Sequence, residues 1–293
     1  MSRSYNRFDG ALKSLRLVLM MAVLLFLGAC SSTTFIYNRL DFILPWYLDD
    51  YVDLNRDQKA SLDASLKPFL HWHRVDELPR YVQILSEIEH DLDGTVTPEM
   101  VGKLFSEVEK AWLRLEDEAL DWLFELGAGL SDEQIQEFLL VLQEQQLEYE
   151  EEYLDRSDEK YRQDSYDNFE DGLQDYMGRL DKSQRAVLHR ASVDLQRMDA
   201  QWLHERAAWL AKMGVLLQRE PGWQQKLREQ KAAREENYSP QYREMYAHNL
   251  EVIQGAIASV ISSRSDKQDR RLRKKLRNLK EDFETLVAQA EPQ

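Results

Sequence analysis

The chain has 293 residues and a net charge of −15, with 43% apolar and 31% charged residues, only 11 Gly and 7 Pro, and a single cysteine. So large an acidic excess excludes bulk attraction to nucleic acid or anionic lipid, although a local basic patch still acts within a Debye length of about 8 Å. One cysteine excludes an intrachain disulfide, so packing must hold the fold; scarce Gly and Pro beside abundant Leu, Glu, Gln, Arg and Ala point to helices, and no run alternates long enough to propose a sheet.

The chain opens on three zones. Arg3, Arg7, Lys13 and Arg16 against the single Asp9 make a positive n-region, and Leu17 to Leu27 is wholly apolar. That run is shorter than the roughly 20 residues a spanning helix needs but suits the h-region of a signal peptide. Small residues then precede Cys30, and Leu27, Gly28, Ala29 and Cys30 resemble the lipobox of bacterial lipoproteins. The resemblance implies cleavage between Ala29 and Cys30, a diacylglyceryl group on the Cys30 sulfur and acylation of the new N-terminus. The alternative is an ordinary cleaved signal, or an uncleaved anchor, with an incidental cysteine. Each buried methylene adds about 0.8 kcal/mol, so several acyl chains together anchor stably where one does not. Residues 1–29 are accordingly read as a signal peptide. Their loss removes four basic groups and one acid, leaving a body of 264 residues with net charge −18. Ser31 and Ser32 follow Cys30 where lipoproteins retained in the inner membrane commonly carry Asp; by that analogy the periplasmic face of the outer membrane is expected rather than the inner membrane.

Residues 30–54 form an anchor-proximal aromatic segment. Phe35, Ile36, Trp46 and Tyr47 lie close to Cys30, mixed with Arg39, Asp41, Asp49, Asp50 and Asp53. Two placements are open: the aromatics rest at the membrane interface, where Trp and Tyr are favoured, or Pro45 turns the segment onto the body, burying the rings and pairing Arg39 with an acid. Burial is the expectation, because the acids repel an anionic surface.

Residues 55–293 read as a helical body forming one domain. Asn55 with Gln58, Ser131 with Gln134, Asp181 with Gln184 and Ser265 with Gln268 are capping-box patterns, each stabilising a helix start by about 1 kcal/mol. Thr97 before Pro98 and Ser239 before Pro240 mark two more starts. From Thr97, Val101, Leu104, Phe105, Val108, Ala111, Trp112, Leu115, Ala119, Trp122, Leu123 and Leu126 form one stripe ended by Gly127 and Gly129. The block after Ser131 carries two stripes, separated by the polar run 155–160 where the helix bends or breaks. The block after Asp181 carries one stripe from Val187 to Leu216, ending at Pro221 and Gly222, and the last carries Leu272, Leu276, Leu279, Phe283, Leu286 and Val287. The fold class is therefore all-α, an antiparallel multi-helix bundle or an irregular helical array. The box spacings of 76, 50 and 84 residues are unequal, so the boxes are read as shared capping chemistry rather than repeated modules.

The stretch 35–79 carries a further resemblance. Through Tyr37, Asn38, Arg39, Leu40 and Asp41, then Trp46, Asp50, Tyr51 and Leu54, then Gln58, Trp72, His73, Arg74, Leu78 and Pro79, it resembles the uncharacterised helical lipoproteins grouped under a domain of unknown function in Gram-negative proteobacteria. The clear resemblance covers about the first third of the mature chain. It implies a lipid-anchored helical periplasmic protein and brings no activity with it.

Candidate chemistry is sparse. Arg39, Asp41, Asp50, His71, His73 and Arg74 are the candidate polar cluster. In a helix His71 and His73 face apart, so packing and hydrogen bonding near a helix end are expected rather than a metal site. Glu87 and His90 form one Glu-x-x-His, whereas a di-iron bundle needs two and two further glutamates. No HExxH, phosphate-binding glycine loop or GxSxG occurs. Five glutamates lie between Glu144 and Glu152 and nine basic residues between Arg264 and Lys280; the latter read as a solvated face or as pairing with an acidic helix of the same chain, ahead of contact with headgroups or an acidic partner. No cofactor, metal, catalytic residue or nucleic-acid partner is expected. The leading expectation is an anchored envelope protein that binds or scaffolds another envelope component; the alternative is an enzyme or small-ligand binder with a site near Trp72, His73 and Arg74.

Overall fold

A computed structural model describes residues 32–234 and 236–290. The segment read as a signal peptide, with Ala29 and Cys30, lies outside them. Among the described residues the chain is helical throughout, with no strand. The helices are α1 (Ser32–Tyr37), α2 (Leu40–Leu48), α3 (Arg56–Trp72), a π-helical turn (His73–Glu77), α4 (Leu78–Asp91), α5 (Pro98–Gly129), α6 (Asp132–Leu154), α7 (Asp158–Met177), α8 (Lys182–Asp194), α9 (Asp199–Leu216), α10 (Trp223–Ala232), α11 (Pro240–Ser262) and α12 (Asp266–Ala288).

All six expected starts form. Asn55, Ser131, Asp181 and Ser265 each accept from the amide of the glutamine three residues on, and that glutamine's Oε1 accepts in return from the cap amide. Thr97 caps α5 and Ser239 caps α11. The polar run 155–160 is a break: Ser157 accepts from the Lys160 amide and starts α7.

Three antiparallel pairs organise the array. Helix α4 runs against α12, with Leu78 and Leu286 in one cluster and Arg273 reaching back to Asp93. Helix α5 runs against α11, the Ser262 hydroxyl donating to the Val96 carbonyl at one end and Arg234 gripping Glu116 towards the other. Helix α6 runs against α9, where Gln146 donates to the Leu203 carbonyl and Arg197 to that of Tyr153. Helix α5, 32 residues and so about 48 Å long, touches α3, α4 and α11 and so links the first two pairs, while α9 of the third packs on α11. The apolar stripes bury into several clusters. The largest gathers Leu85, Leu92, Val101, Leu180, Leu188, Val260, Leu272, Leu276 and Leu279; a second holds Val52, Leu54, Leu62 and Leu66. Val52 and Leu54 are thus core residues, and no packing boundary falls at 54.

The four boxes are not independent caps. The Nε2 of Gln58 donates to the Oε1 of Gln134 at 2.8 Å, and the Nε2 of Gln134 returns the bond at 2.9 Å. Gln184 and Gln268 do the same at 3.2 and 2.9 Å, both buried. In every case the second Nε2 hydrogen meets the carbonyl two residues before the partner's cap, Gly129, Asp53, Ser263 and Arg179, shared for Gln184 with the Val260 carbonyl. Each carboxamide thereby uses both donors and both acceptor sites, which is what burial of an amide requires. Gly178, with φ of 79°, makes the turn that presents the Arg179 carbonyl, and a Cβ there would come within 3.1 Å of Arg271. Shared capping chemistry is therefore also tertiary structure, joining α3 to α6 and α8 to α12 start to start. The unequal spacings of 76 and 84 residues are the separations within each pair.

One expected continuity fails. The stripe from Val187 to Leu216 belongs to two helices, broken at 195–198. There the buried Asn249 side chain accepts from the Gln196 amide and donates to the Gln196 carbonyl, both at 2.8 Å. A distant carboxamide thus replaces the helical partners of that peptide.

Candidate functional site

The π-helical turn carries the densest polar contacts on the sequence-predicted residues. Pro79 has no amide to give, and the wider turn before it lets His73 and Glu77 point inward together. The Tyr37 hydroxyl lies 2.7 Å from His73 Nδ1, and the two rings stack with centroids 5.6 Å apart. Tyr81 and Trp72 stand edge-on to the same imidazole. Burial lowers the His73 pKa to about 4; the nearby Glu77 carboxylate opposes this and Arg74 adds to it. His73 is therefore neutral at neutral pH. Burial likewise pushes the Tyr37 hydroxyl up to about 12 against the pull of Arg74. The Arg74 guanidinium sits over the Tyr37 ring at 5.1 Å and donates to Asn38 Oδ1 at 2.5 Å.

Beneath the imidazole, Glu77 has no exposed surface. Arg114 from α5 holds both its oxygens, Nε to Oε1 at 2.7 Å and Nη2 to Oε2 at 2.8 Å, and Arg80 adds a bond to Oε1 at 2.8 Å. A carboxylate enclosed in this way is kept charged by paired guanidinium groups that satisfy its lone pairs. The network ties α1, the π turn, α4 and α5 together.

The predicted cluster does not converge. His73 and Arg74 meet around Tyr37. His71 is exposed on the other side of the helix. Arg39 is exposed and lies over the Phe35 ring at 4.3 Å, with no ion pair to an acid among the described residues. Asp41 shares a surface hollow with Thr34, Phe35, Asn38, Arg39 and Phe42, and Asp50 is exposed at the far end of α2. The expectation that the anchor-proximal aromatics are buried is also overturned. Tyr37 is buried, but Phe35, Phe42 and Trp46 are 57%, 72% and 61% exposed, and Tyr47 is exposed with its hydroxyl on that of Tyr51. Pro45 lies within α2 and makes no turn; the segment docks on the body through Leu44 and Leu48 and leaves these rings outside. His73 packs and hydrogen-bonds near the end of α3, its partner the Tyr37 phenol.

Glu87 pairs with Lys103, while His90 is exposed near Asp93. No group of three His, Cys, Asp or Glu side chains gathers to hold a metal among the described residues. The basic helix α12 pairs in part with acids of α4 and the turn after it, through Arg277 to Glu89 and Arg273 to Asp93, and Arg264 and Arg273 also clasp Asp269. The acidic block of α6 is not its partner. Sequence reasoning missed Glu77 and Arg114. They stand 37 residues apart, and no local pattern links them. An apolar groove between α6 and α9, about 480 Å³, is lined by Leu139, Leu147, Ala207, Leu210, Ala211 and Gly214 among others.

These features define an all-helical protein whose interior holds paired glutamine caps, and a carboxylate gripped by two arginines beside a neutral histidine. Residues 50–243 match a family of unknown function, DUF6279, and the chain belongs to that family. The match takes in the π turn, Glu77, Arg114 and three of the four boxes, so it reaches well beyond the first third; Tyr37 to Asp41 and Trp46 lie outside it. No curated protein and no solved structure matches the chain.

Proposed function

We propose that this chain is a lipid-anchored protein of the bacterial envelope, held by acyl groups on Cys30 at the periplasmic face of the outer membrane, whose helical body binds or scaffolds another envelope component without catalysis. The observation that carries the reading is the three-zone N-terminus ending at the only cysteine. The body supports it by what holds it together. No helix among the described residues is long and apolar enough to cross a membrane, so attachment through acyl chains is the economical route to a membrane. The neutral His73, bonded to Tyr37 and flanked by three rings, is the arrangement of a packing residue, which favours a binding role over chemistry near Trp72, His73 and Arg74.

Mass spectrometry of the mature N-terminus, on protein from purified membranes of the native host, tests the anchor. The expected N-terminal peptide begins at Cys30 and carries a diacylglyceryl and an acyl group. A chain that begins elsewhere, or an unmodified Cys30, overturns it.

A further inference from the structure

We propose that the exposed rings of Phe35, Phe42 and Trp46 form a ledge lying in the headgroup layer of the leaflet that holds the Cys30 acyl chains, and so set the body's orientation on the membrane. The proposal rests on the anchor reading above. The described structure begins at Ser32, two residues beyond Cys30, and two extended residues span at most about 7 Å. An acylated sulfur lies at the boundary of the hydrocarbon, and the polar layer outside it is about 5–8 Å deep. Helix α1 therefore starts within or immediately above the headgroups.

From there the rings follow in order: Phe35 on α1, then, past the turn at 38–39, Phe42 and Trp46 four apart on one face of α2. Phe35, Arg39 and Phe42 line the same hollow. Isolated exposed apolar residues are ordinary, but a row of large rings 57–72% exposed beside an anchor is a surface waiting for an apolar or interfacial neighbour. Aromatic rings are favoured at the headgroup level, and the Arg39 guanidinium, stacked over the Phe35 ring at 4.3 Å, stands beside them.

The ledge is not a loose tether. Helix α1 packs on α12 and α2 on α3. Thr34 donates to Asp282 at 3.2 Å, Asn38 to Gln289 at 3.1 Å, and Lys59 pairs with Asp49 at 3.0 Å. An orientation fixed at the rings is thus transmitted to the body. Asp41, Asp50 and Asp53 are exposed on the same segment, so the contact is apolar rather than electrostatic, and added salt should leave it unchanged.

Cys30 is the only native thiol, and acylation blocks it, so one introduced cysteine can carry a nitroxide. Acylated full-length chains with Phe42→Cys, or with Leu147→Cys on the exposed face of α6 as the aqueous reference, are labelled and reconstituted into vesicles of phosphatidylethanolamine with a minor share of phosphatidylglycerol. Relative to position 147, the label at 42 is expected to collide several-fold more with oxygen and several-fold less with a water-soluble nickel chelate. Adding Phe35→Ser and Trp46→Ser, both exposed and so harmless to the fold, should return it towards water. Equal access to the chelate at 42 and 147 on an acylated chain overturns the ledge and leaves the anchor standing. Shielding from both reagents also overturns it, because a protein then covers the rings. A chain whose Cys30 itself takes the label overturns both.

Discussion

Removing Arg114 should expose how much of the fold hangs on Glu77. The carboxylate has no exposed surface; its other partner, Arg80, has a half-exposed side chain. Arg114→Met therefore leaves a buried charge with one partly hydrated cation. At a charge separation of roughly 4 Å and an effective dielectric near 20 the lost attraction is about 4 kcal/mol, and breaking a buried pair by removing one member costs about 3–5 kcal/mol. With Arg80 retained, about 3 kcal/mol is expected, a fall in Tm on the order of 6–12 °C for a chain of this size. Glu77→Leu with Arg114→Met removes both charges together, and its loss should be under about 1.5 kcal/mol, since a well-packed apolar pair commonly replaces a buried ion pair at little cost. Urea unfolding followed by far-UV circular dichroism on the two single variants and the double variant reads the coupling. If Arg114→Met loses less than about 1 kcal/mol, or the double variant loses as much as the sum of the singles, the carboxylate is not held as described.

Three further outcomes follow from the same contacts. His73 has a folded pKa of about 4 against 6.5 for the free group, so between those values the unfolded chain binds more protons; stability is full above about pH 6.5 and falls as pH drops towards 4, by about 2–3 kcal/mol. Urea midpoints of wild type and His73→Gln between pH 7 and pH 4 should differ in slope by that amount, and parallel curves would refute the neutral imidazole. Gln184→Leu strands half the hydrogen bonds of the buried Gln268 and should cost about 2 kcal/mol, whereas Gln58→Leu, at the more exposed pair, should cost roughly half as much; equal losses in unfolding experiments would mean that the pairs add nothing beyond capping. Arg206 is buried, bonds the neutral Gln146, and has an Nη2 with no hydrogen-bond partner among the described residues, so Arg206→Met should be neutral or stabilising by up to about 1 kcal/mol in urea unfolding, and a loss above about 2 kcal/mol would reveal a partner.

The helical class and six of the helix starts were legible in the residues alone. Each cap is decided within four residues: Asn55 and Gln58, or Ser265 and Gln268, satisfy one another before any other helix arrives, so the pattern is readable in one dimension. The period of the stripes was legible for the same reason, since a face that must be buried announces itself whatever covers it. The rest depended on which elements meet in space. The pairing of Gln58 with Gln134, and of Gln184 with Gln268, depends on which starts meet, because one carboxamide can serve its own cap and a neighbour's with its two remaining hydrogens. The break at 195–198 exists because Asn249, more than 50 residues away, offers that peptide a better partner than the helix does. Glu77 became a buried anion because α5 brought Arg114 to it, and Phe42 and Trp46 stayed outside because none of the described residues packs over them. Local hydrogen bonds are written in neighbouring residues; which surfaces meet, and which are left uncovered, is settled only when the whole chain competes for the same apolar area.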